Sequence, residues 1–247
     1  MIRTTREGRV LRLTLNRPEK RNALSIEMCR DLVTELRRAE ADESLGVILL
    51  DAAGPNFSSG MDLSEILDPE MARKADIHEE LFTLGRNFSK PIVAAVQGAV
   101  FGGAVALVAS AHITVAAQDV RFCCTEIHIG MWPYVAFRPI AEAIGERHAA
   151  ELALTGRVVS AAEALDLGLV HRVVAGEQVS ETATRLAAQM AAFDADALLQ
   201  GLLFIQQTRG MDWEQAGLVA RQFRDRAFKS AAFRKSVQEF LARQTRK

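Results

Sequence analysis

The sequence is poor in cysteine and in aromatic residues, and neither sign of charge is in excess. The three cysteines are Cys29, Cys123 and Cys124, in a chain of 247 residues. An odd number, with two of them adjacent, argues against a disulfide framework and favours a reduced, cytoplasmic protein. Lys and Arg number 30 against 31 Asp and Glu, so charge gives no reason to expect nucleic-acid binding.

Several sequence patterns are absent, and each absence excludes a class of function. No apolar run is long enough to cross a bilayer, and the first 20 residues have no apolar stretch typical of a signal peptide, so no membrane association is expected. The five histidines are scattered, and no C-x-x-C or H-E-x-x-H spacing occurs, so no metal site is predicted. The phosphate-binding, dinucleotide-binding and α/β-hydrolase glycine motifs are also missing.

Short apolar segments alternate with amphipathic ones over the first two-thirds of the chain. Residues 9–15, 46–54 and 92–98 read as strands, as do HITVAAQ and VRFCCTEI further on. Helices are predicted after Ser25 and over residues 78–89, and the chain is mainly helical from residue 136. The sequence therefore predicts an α/β core followed by a helical C-terminal region.

Two segments place glycine between an apolar strand and a helix. The first glycine loop is FSSGMDL (57–63), and the second glycine loop is QGAVFGGAVAL (97–107). Such turns leave backbone N–H groups unpaired, and two of them facing each other would form an oxyanion hole for a carbonyl oxygen. Taken singly, either loop is better explained by a tight strand-to-helix turn that needs glycine.

One carboxylate lies among apolar neighbours in FCCTEIHIGMWPY (122–134). Glu126 there is either a general acid/base in a dry pocket or a surface carboxylate beside His128. A buried position would raise the pKa of the carboxyl group, which suits a residue that must both accept and donate a proton.

The order and spacing of several motifs resemble the crotonase family, also called the enoyl-CoA hydratase/isomerase superfamily. These motifs are NRPEKRNAL, FSSGMDL, KPIVAAVQGAVFGGA, FCCTEIHIG and ELALTGRVVSAAEALDLGLVHRVV. The resemblance implies a spiral of β-β-α units over residues 1–193 and a helical trimerisation region over residues 194–247. It also implies acyl-CoA substrates, no cofactor beyond the coenzyme A of the substrate, and homotrimers or homohexamers.

The resemblance assigns roles to individual positions. Glu126 would be the catalytic acid/base, and the N–H groups of Met61 and Gly103 would form the oxyanion hole for the thioester. Asp62 is interpreted as a structural, helix-capping residue beside the substrate. The remaining residues implied in substrate or CoA binding are Lys20, Arg21, Ala23, Leu24, Ser59, Gly60, Leu63, Gly102, Trp132 and Tyr134.

The chain departs from the hydratase pattern at two places. Where family hydratases have their first glutamate, this chain has Ala106, and bulky GMWPYVAFRPI replaces their glycine-rich loop after Glu126. One carboxylate holds a water less well than two, whereas it suffices to move a proton from C2 to C4. The resemblance therefore favours isomerisation of 3-enoyl-CoA to 2-enoyl-CoA. The alternatives are a single-glutamate 2-enoyl-CoA hydratase, a CoA-thioester decarboxylase or hydrolase, and a non-catalytic acyl-CoA-binding protein.

Overall fold

The structure is a computed structural model that describes residues 1–244. The chain separates into a first unit, Met1–Ala192, and a C-terminal unit, Phe193–Lys247. The sequence placed this division one residue later, between residues 193 and 194.

The first unit is built on two sheets. The larger has the strand order β1-β2-β3-β4-β6-β9, and the smaller has the order β5-β7-β8. All neighbours are parallel except the pairs β1–β2 and β7–β8. The strands are β1 (Ile2–Glu7), β2 (Val10–Leu15), β3 (Val47–Ala52), β4 (Ile92–Val96), β5 (Ala99–Phe101), β6 (Ile113–Ala117), β7 (Arg121–Cys123), β8 (Val159–Ser160) and β9 (Arg172–Val174).

Eight helices connect and cover these strands, and three form the described part of the C-terminal unit. The first eight are α1 (Ile26–Ala41), α2 (Met71–Lys74), α3 (Asp76–Asn87), α4 (Gly103–Ala109), α5 (Tyr134–Ile144), α6 (Glu146–Thr155), α7 (Ala161–Asp166) and α8 (Val179–Ala191). The last three are α9 (Ala195–Thr208), α10 (Trp213–Lys229) and α11 (Ala231–Gln244). Short 3₁₀ turns lie at Pro18–Lys20, Leu63–Glu65, Thr125–Ile129 and Gly176–Gln178.

The larger sheet is covered by apolar side chains on both faces. One face packs in the main core, which includes α1, α3, α4 and α5. The other face, with Val47 and Val93, packs against Ala183 and Ala187 of α8. Because both faces are buried, the central strands read as nearly continuous apolar runs rather than alternating ones.

The predicted α/β core with a helical C-terminal region is confirmed, and the differences lie in its short elements. The predicted strand VRFCCTEI ends at Cys123, and the chain then coils into the turn Thr125–Ile129, where the N–H groups of Gly130 and Met131 donate to the carbonyls of Ile127 and Glu126. The sequence also missed strand β1 and the short strands β5, β8 and β9, which are too brief to show a period.

The C-terminal unit exposes much apolar surface. No residue of α9 or α10 is buried, and Trp213 and Phe240 are 92% and 61% exposed. Phe204, Phe223 and Phe233 line a cavity of about 770 Å³ between its helices.

Within residues 1–244, no single helix is long and apolar enough to cross a membrane. One pair of helical segments separated by a sharp bend, Gly176–Ala191 and Ala195–Thr208, has the required length and apolar composition only when the two are taken together.

Helix α3 approaches α4 so closely that only glycine fits at the crossing. A Cβ atom at Gly85 would lie 2.1 Å from the carbonyl oxygen of Ser110. The backbone of Gly85 is helical, so this contact and not an unusual torsion requires glycine.

We expect Gly85→Ala to lower the free energy of unfolding by about 1–3 kcal/mol, because an extra methyl group forces packed backbone apart. The matched control is Gly217→Ala in α10, where a Cβ atom would meet nothing within 4 Å. That change should stabilise by ~0.5–1 kcal/mol, since alanine is the better helix former. Urea unfolding followed by circular dichroism measures both; an unchanged Gly85→Ala midpoint would contradict the close approach.

Candidate active site

The first glycine loop is held by backbone pairing with the segment before α1. Leu24 N donates to the Gly60 carbonyl oxygen at 2.8 Å, and Asp62 N donates to the Leu24 carbonyl oxygen at 3.2 Å. Met61 lies between these two bonds, paired with Leu24 as an isolated parallel bridge. Within residues 1–244 the Met61 N–H has no hydrogen-bond acceptor.

The second glycine loop turns the chain from β5 into α4. Gly102 has φ +54° and ψ −134°, a conformation open only to glycine. Its N–H donates to the Cys123 carbonyl oxygen at 2.8 Å, which ties the turn to β7. The N–H of Gly103, the first residue of α4, is also unpaired among the described residues.

The two glycine loops are in direct contact. Ser58 N donates to the Ala99 carbonyl oxygen at 3.1 Å, and Phe101 N donates to the Ser58 carbonyl oxygen at 3.0 Å. A Cβ atom at Gly60 would lie 2.6 Å from the Phe101 carbonyl oxygen, and Gly60 has φ +88°. Both its torsion and its neighbour therefore require glycine, and the unpaired N–H groups belong to adjoining turns.

Glu126 lies beside the second glycine loop and is buried. Its side chain follows β7 in the 3₁₀ turn Thr125–Ile129, and the residue is 8% exposed. A Cβ atom at Gly102 would lie 3.3 Å from Glu126 Oε1. Glu126 Oε2 is buried and has no hydrogen-bond partner among the described residues. Burial raises the pKa of this carboxyl group, and a hydrogen bond from its own backbone N–H opposes the rise only in part.

The back of the turn that carries Glu126 is packed against the end of α6. Gly156 ends that helix with φ +58°, and a Cβ atom there would lie 2.5 Å from His128 Nε2. Cys123 Sγ donates to the Gly156 carbonyl oxygen at 3.0 Å. The sequence did not single out Gly156, because its contact with the turn depends on how α6 folds back.

No second carboxylate accompanies Glu126 at position 106. Ala106 is fully buried in the apolar core on the first turns of α4. Phe82 of α3 lies against the same helix, since a Cβ atom at Gly103 would be 2.6 Å from Phe82 Cζ. The sequence did not identify Phe82 either, because it lies 21 residues before Gly103.

The predicted CoA-binding segment adjoins the first glycine loop. Lys20 and Arg21 are exposed at its surface, whereas Ala23 and Leu24 are buried. Ser59 N donates to the Arg21 carbonyl oxygen at 3.0 Å, so the segment and the loop run side by side.

An ion pair joins the same two segments. Arg17 Nη1 lies 2.6 Å from Asp62 Oδ2, and both side chains are largely buried. Asp62 also caps the short turn Leu63–Glu65, because its Oδ1 accepts from the N–H of Ser64. Hydrogen bonding by the Ser64 hydroxyl, followed by that of Arg17, lowers the pKa of Asp62 despite its burial. The capping bond is the one that the sequence predicted for Asp62.

The predicted acyl-pocket residues are less enclosed. Trp132 is half-buried, with its ring 5.7 Å from that of Phe137. Tyr134 begins α5 and is 72% exposed, and Leu63 is 52% exposed. The structure thus gathers Met61, Gly103 and Glu126 around adjoining turns but leaves Tyr134 and Leu63 at the surface.

Two unpaired N–H groups on adjoining turns and one desolvated carboxylate define a class of site. The N–H groups can stabilise negative charge on a carbonyl oxygen, and a carboxylate of raised pKa can move a proton next to that carbonyl. Residues 1–244 contain no group of His, Cys, Asp or Glu placed to hold a metal ion. Such an arrangement can support chemistry through an enolate.

Comparison with known proteins identifies the family. The family model described as enoyl-CoA hydratase/isomerase matches residues 5–247. Enoyl-CoA hydratase domain-containing protein 3, mitochondrial, of Rattus norvegicus is 33% identical over 226 residues, which cover 89% of this chain and 74% of that protein. The 2,3-dehydroadipyl-CoA hydratase of Escherichia coli (strain K12) is 32% identical over 216 residues, 87% of this chain and 84% of the relative.

Solved structures agree with this result. The crystal structure of human enoyl Coenzyme A hydratase domain-containing protein 3 superposes with a TM-score of 0.94 at 26% identity, covering 98% of this chain and 97% of that one. A Mycobacterium smegmatis enoyl-CoA hydratase gives a TM-score of 0.93 at 27% identity, covering 98% and 96%. The chain belongs to the enoyl-CoA hydratase/isomerase (crotonase) family.

The burial of Glu126 generates a prediction about stability. Its pKa is higher in the folded protein than in the unfolded chain. Between these two pKa values the folded protein binds more protons, so the free energy of unfolding falls as pH rises from the unfolded pKa through the folded pKa. Glu126→Gln removes the charge and should raise the free energy of unfolding at pH 8 by about 0.5–2 kcal/mol.

Urea unfolding at pH 8 and pH 5 tests this, and the advantage of Glu126→Gln should shrink at the lower pH. Glu7→Gln is the control, because Glu7 is an exposed carboxylate at the end of β1. Equal stability changes in the two variants at both pH values would show that Glu126 carries no burial cost.

Proposed function

We propose that the protein isomerises 3-enoyl-CoA thioesters to 2-enoyl-CoA thioesters with Glu126 as the only acid/base. The observation that carries this proposal is a single desolvated carboxylate beside two unpaired N–H groups, with Ala106 buried in apolar surroundings where a second carboxylate would be needed for water. Moving one proton between two carbons of the same substrate needs one carboxylate and no bound water.

The proposed reaction has two proton transfers. The thioester oxygen accepts hydrogen bonds from the N–H groups of Met61 and Gly103, which makes the C2 proton acidic. Glu126 takes that proton, and the C2–H electrons delocalise into a dienolate. Glu126 then returns the proton to C4, the C3=C4 electrons form the new C–H bond, and the double bond lies between C2 and C3. The raised pKa of Glu126 narrows the difference in acidity between carboxyl group and substrate carbon.

A second candidate is a 2-enoyl-CoA hydratase with one catalytic glutamate. The names of relatives favour it, since the similar Escherichia coli protein is a 2,3-dehydroadipyl-CoA hydratase. In this reaction Glu126 would take a proton from water while the water oxygen bonds to C3 and the C2=C3 electrons form the enolate, and Glu126 would then deliver the proton to C2. Without a carboxylate at Ala106 the water would be held by Glu126 alone, which we expect to slow hydration by ~10²–10⁴-fold.

Other outcomes on the same scaffold are a CoA-thioester decarboxylase or hydrolase, and a non-catalytic acyl-CoA-binding protein. In each, Lys20, Arg21 and neighbouring residues of the first glycine loop would hold the CoA portion, and no further cofactor takes part. A cytoplasmic location remains a prediction from the cysteines.

Product analysis in deuterated water distinguishes these reactions. The protein is incubated with 3-enoyl-CoA and, separately, with 2-enoyl-CoA, and products are identified by mass spectrometry. The proposal predicts 2-enoyl-CoA from 3-enoyl-CoA, with little 3-hydroxyacyl-CoA from either substrate. Rapid 3-hydroxyacyl-CoA formation would establish the hydratase, free acid and CoA would indicate hydrolysis, and unchanged thioester would leave only binding.

Removing the carboxylate tests its role. Glu126→Gln should lower isomerisation by ~10²–10⁴-fold while the dissociation constant for CoA stays within about threefold, because Gln keeps the shape but cannot accept the C2 proton. Glu7→Gln should keep full activity. Undiminished turnover in Glu126→Gln would remove Glu126 from the mechanism.

We also propose that the C-terminal unit is the oligomerisation region of a homotrimer or homohexamer. Its support is the apolar surface of α10 and α11, including Trp213, Phe228 and Phe240. Sedimentation equilibrium should give three or six times the chain mass, and Phe240→Glu should shift the protein towards monomer. A monomer in the unsubstituted protein would rule out this role.

A further inference from the structure

Three residues of α3 lie on one face of the helix and contact three segments that border the site. His78, Phe82 and Gly85 have the spacing i, i+4, i+7, which places side chains along one stripe of a helix. His78 and Phe82 are 3% exposed. Their contacts are with the Leu24 carbonyl, with Gly103 and, through Gly85, with Ser110 at the end of α4.

Phe82 packs against Gly103, whose N–H group is one of the two proposed oxyanion-hole donors. A Cβ atom at Gly103 would lie 2.6 Å from Phe82 Cζ and 3.2 Å from Phe82 Cε2. Gly103 is the first residue of α4 and has no positive φ, so the ring and not the backbone torsion requires glycine there. The Phe82 ring therefore limits how far the Gly103 backbone, and with it the N–H group, can move towards α3.

His78 contacts Leu24, which in turn pairs with the segment that carries Met61, the other proposed donor. Its Nε2 lies 3.5 Å from the Leu24 carbonyl oxygen, at the outer limit for a hydrogen bond. That same carbonyl accepts from Asp62 N, next to Met61. Burial lowers the pKa of His78, and the charge of Glu65, whose Oε2 accepts from the N–H of Ile26 at the start of α1, opposes this shift only in part. Because a carbonyl oxygen only accepts, a hydrogen bond to Leu24 requires the imidazole tautomer that is protonated at Nε2.

We propose that this face of α3 sets the separation of the Met61 and Gly103 N–H groups, with Phe82 and His78 as positioning residues. A rigid helix that touches the support of both donors fixes one relative to the other. Gly85, packed on Ser110, fixes α3 against the far end of α4. The inference rests on the proposed use of these two N–H groups as an oxyanion hole.

The test measures polarisation of a bound thioester. A 3-arylacryloyl-CoA absorbs in the near ultraviolet, and its band shifts to longer wavelength when its carbonyl accepts strong hydrogen bonds. Phe82→Leu should reduce the wavelength shift to at most half of that seen with the unsubstituted protein. It should also lower kcat for isomerisation by ~10–10²-fold and leave KM within about threefold, because displacing the Gly103 N–H group by about 1 Å slows the reaction by about this factor. His78→Leu should act in the same direction, and His78→Gln, which restores an N–H donor, should recover most of the shift.

Phe88→Leu is the matched control, since Phe88 is a fully buried phenylalanine just after α3 and outside the His78–Phe82–Gly85 face. It should lower stability like Phe82→Leu but leave the shift unchanged. Equal shifts in Phe82→Leu, Phe88→Leu and the unsubstituted protein would overturn the inference. If Phe82→Leu does not fold, the two His78 variants decide: equal shifts in both would overturn it. No shift with the unsubstituted protein would instead contradict the proposed oxyanion hole.

Discussion

The site depends on the contact between the two glycine loops. Ser58 exchanges backbone hydrogen bonds with Ala99 and Phe101, and Gly60 lies against the Phe101 carbonyl with no room for a side chain. These bonds join the loop after β3 to strand β5, which leads into the turn at Gly102, so two separate parts of the chain present their N–H groups on adjoining turns. That junction brings the two N–H groups to adjoining turns, and the separate bond from Gly102 N to the Cys123 carbonyl oxygen holds the second loop beside the turn that carries Glu126.

Much of this could be read from the sequence, since glycines between apolar strands and helices report torsions that other residues avoid. Gly60 and Gly102 are such cases, with φ +88° and +54°. The main strands could also be predicted, because strands of a sheet that is covered on both faces have nearly continuous apolar sequences. The sequence was compatible with either a buried or a surface position for Glu126. In the structure the carboxylate is buried and lies beside Gly102, because the turn that carries it folds towards the second glycine loop.

The rest could not be read, because it depends on contacts between distant segments. Phe82 and Gly156 carry no local pattern, yet the first lies against Gly103 and the second against His128. Residues 125–127, which begin the turn Thr125–Ile129, were predicted as strand, because the hydrogen bonds from Gly130 and Met131 to this turn come from beyond the apolar run. Tyr134, expected in a pocket, lies exposed at the start of α5. Aromatic character alone does not tell a pocket from a surface.

The contact between Phe82 and Gly103 also has an evolutionary consequence. Glycine at position 103 is required by a neighbouring ring, whereas at Gly102 it is required by the backbone. The two requirements should leave different records among homologous chains. Position 102 should stay glycine whatever happens elsewhere, while position 103 should admit alanine in lineages where residue 82 has become small. Substitutions at positions 82 and 103 should therefore occur together, whereas glycine at position 102 should be kept regardless of its neighbours.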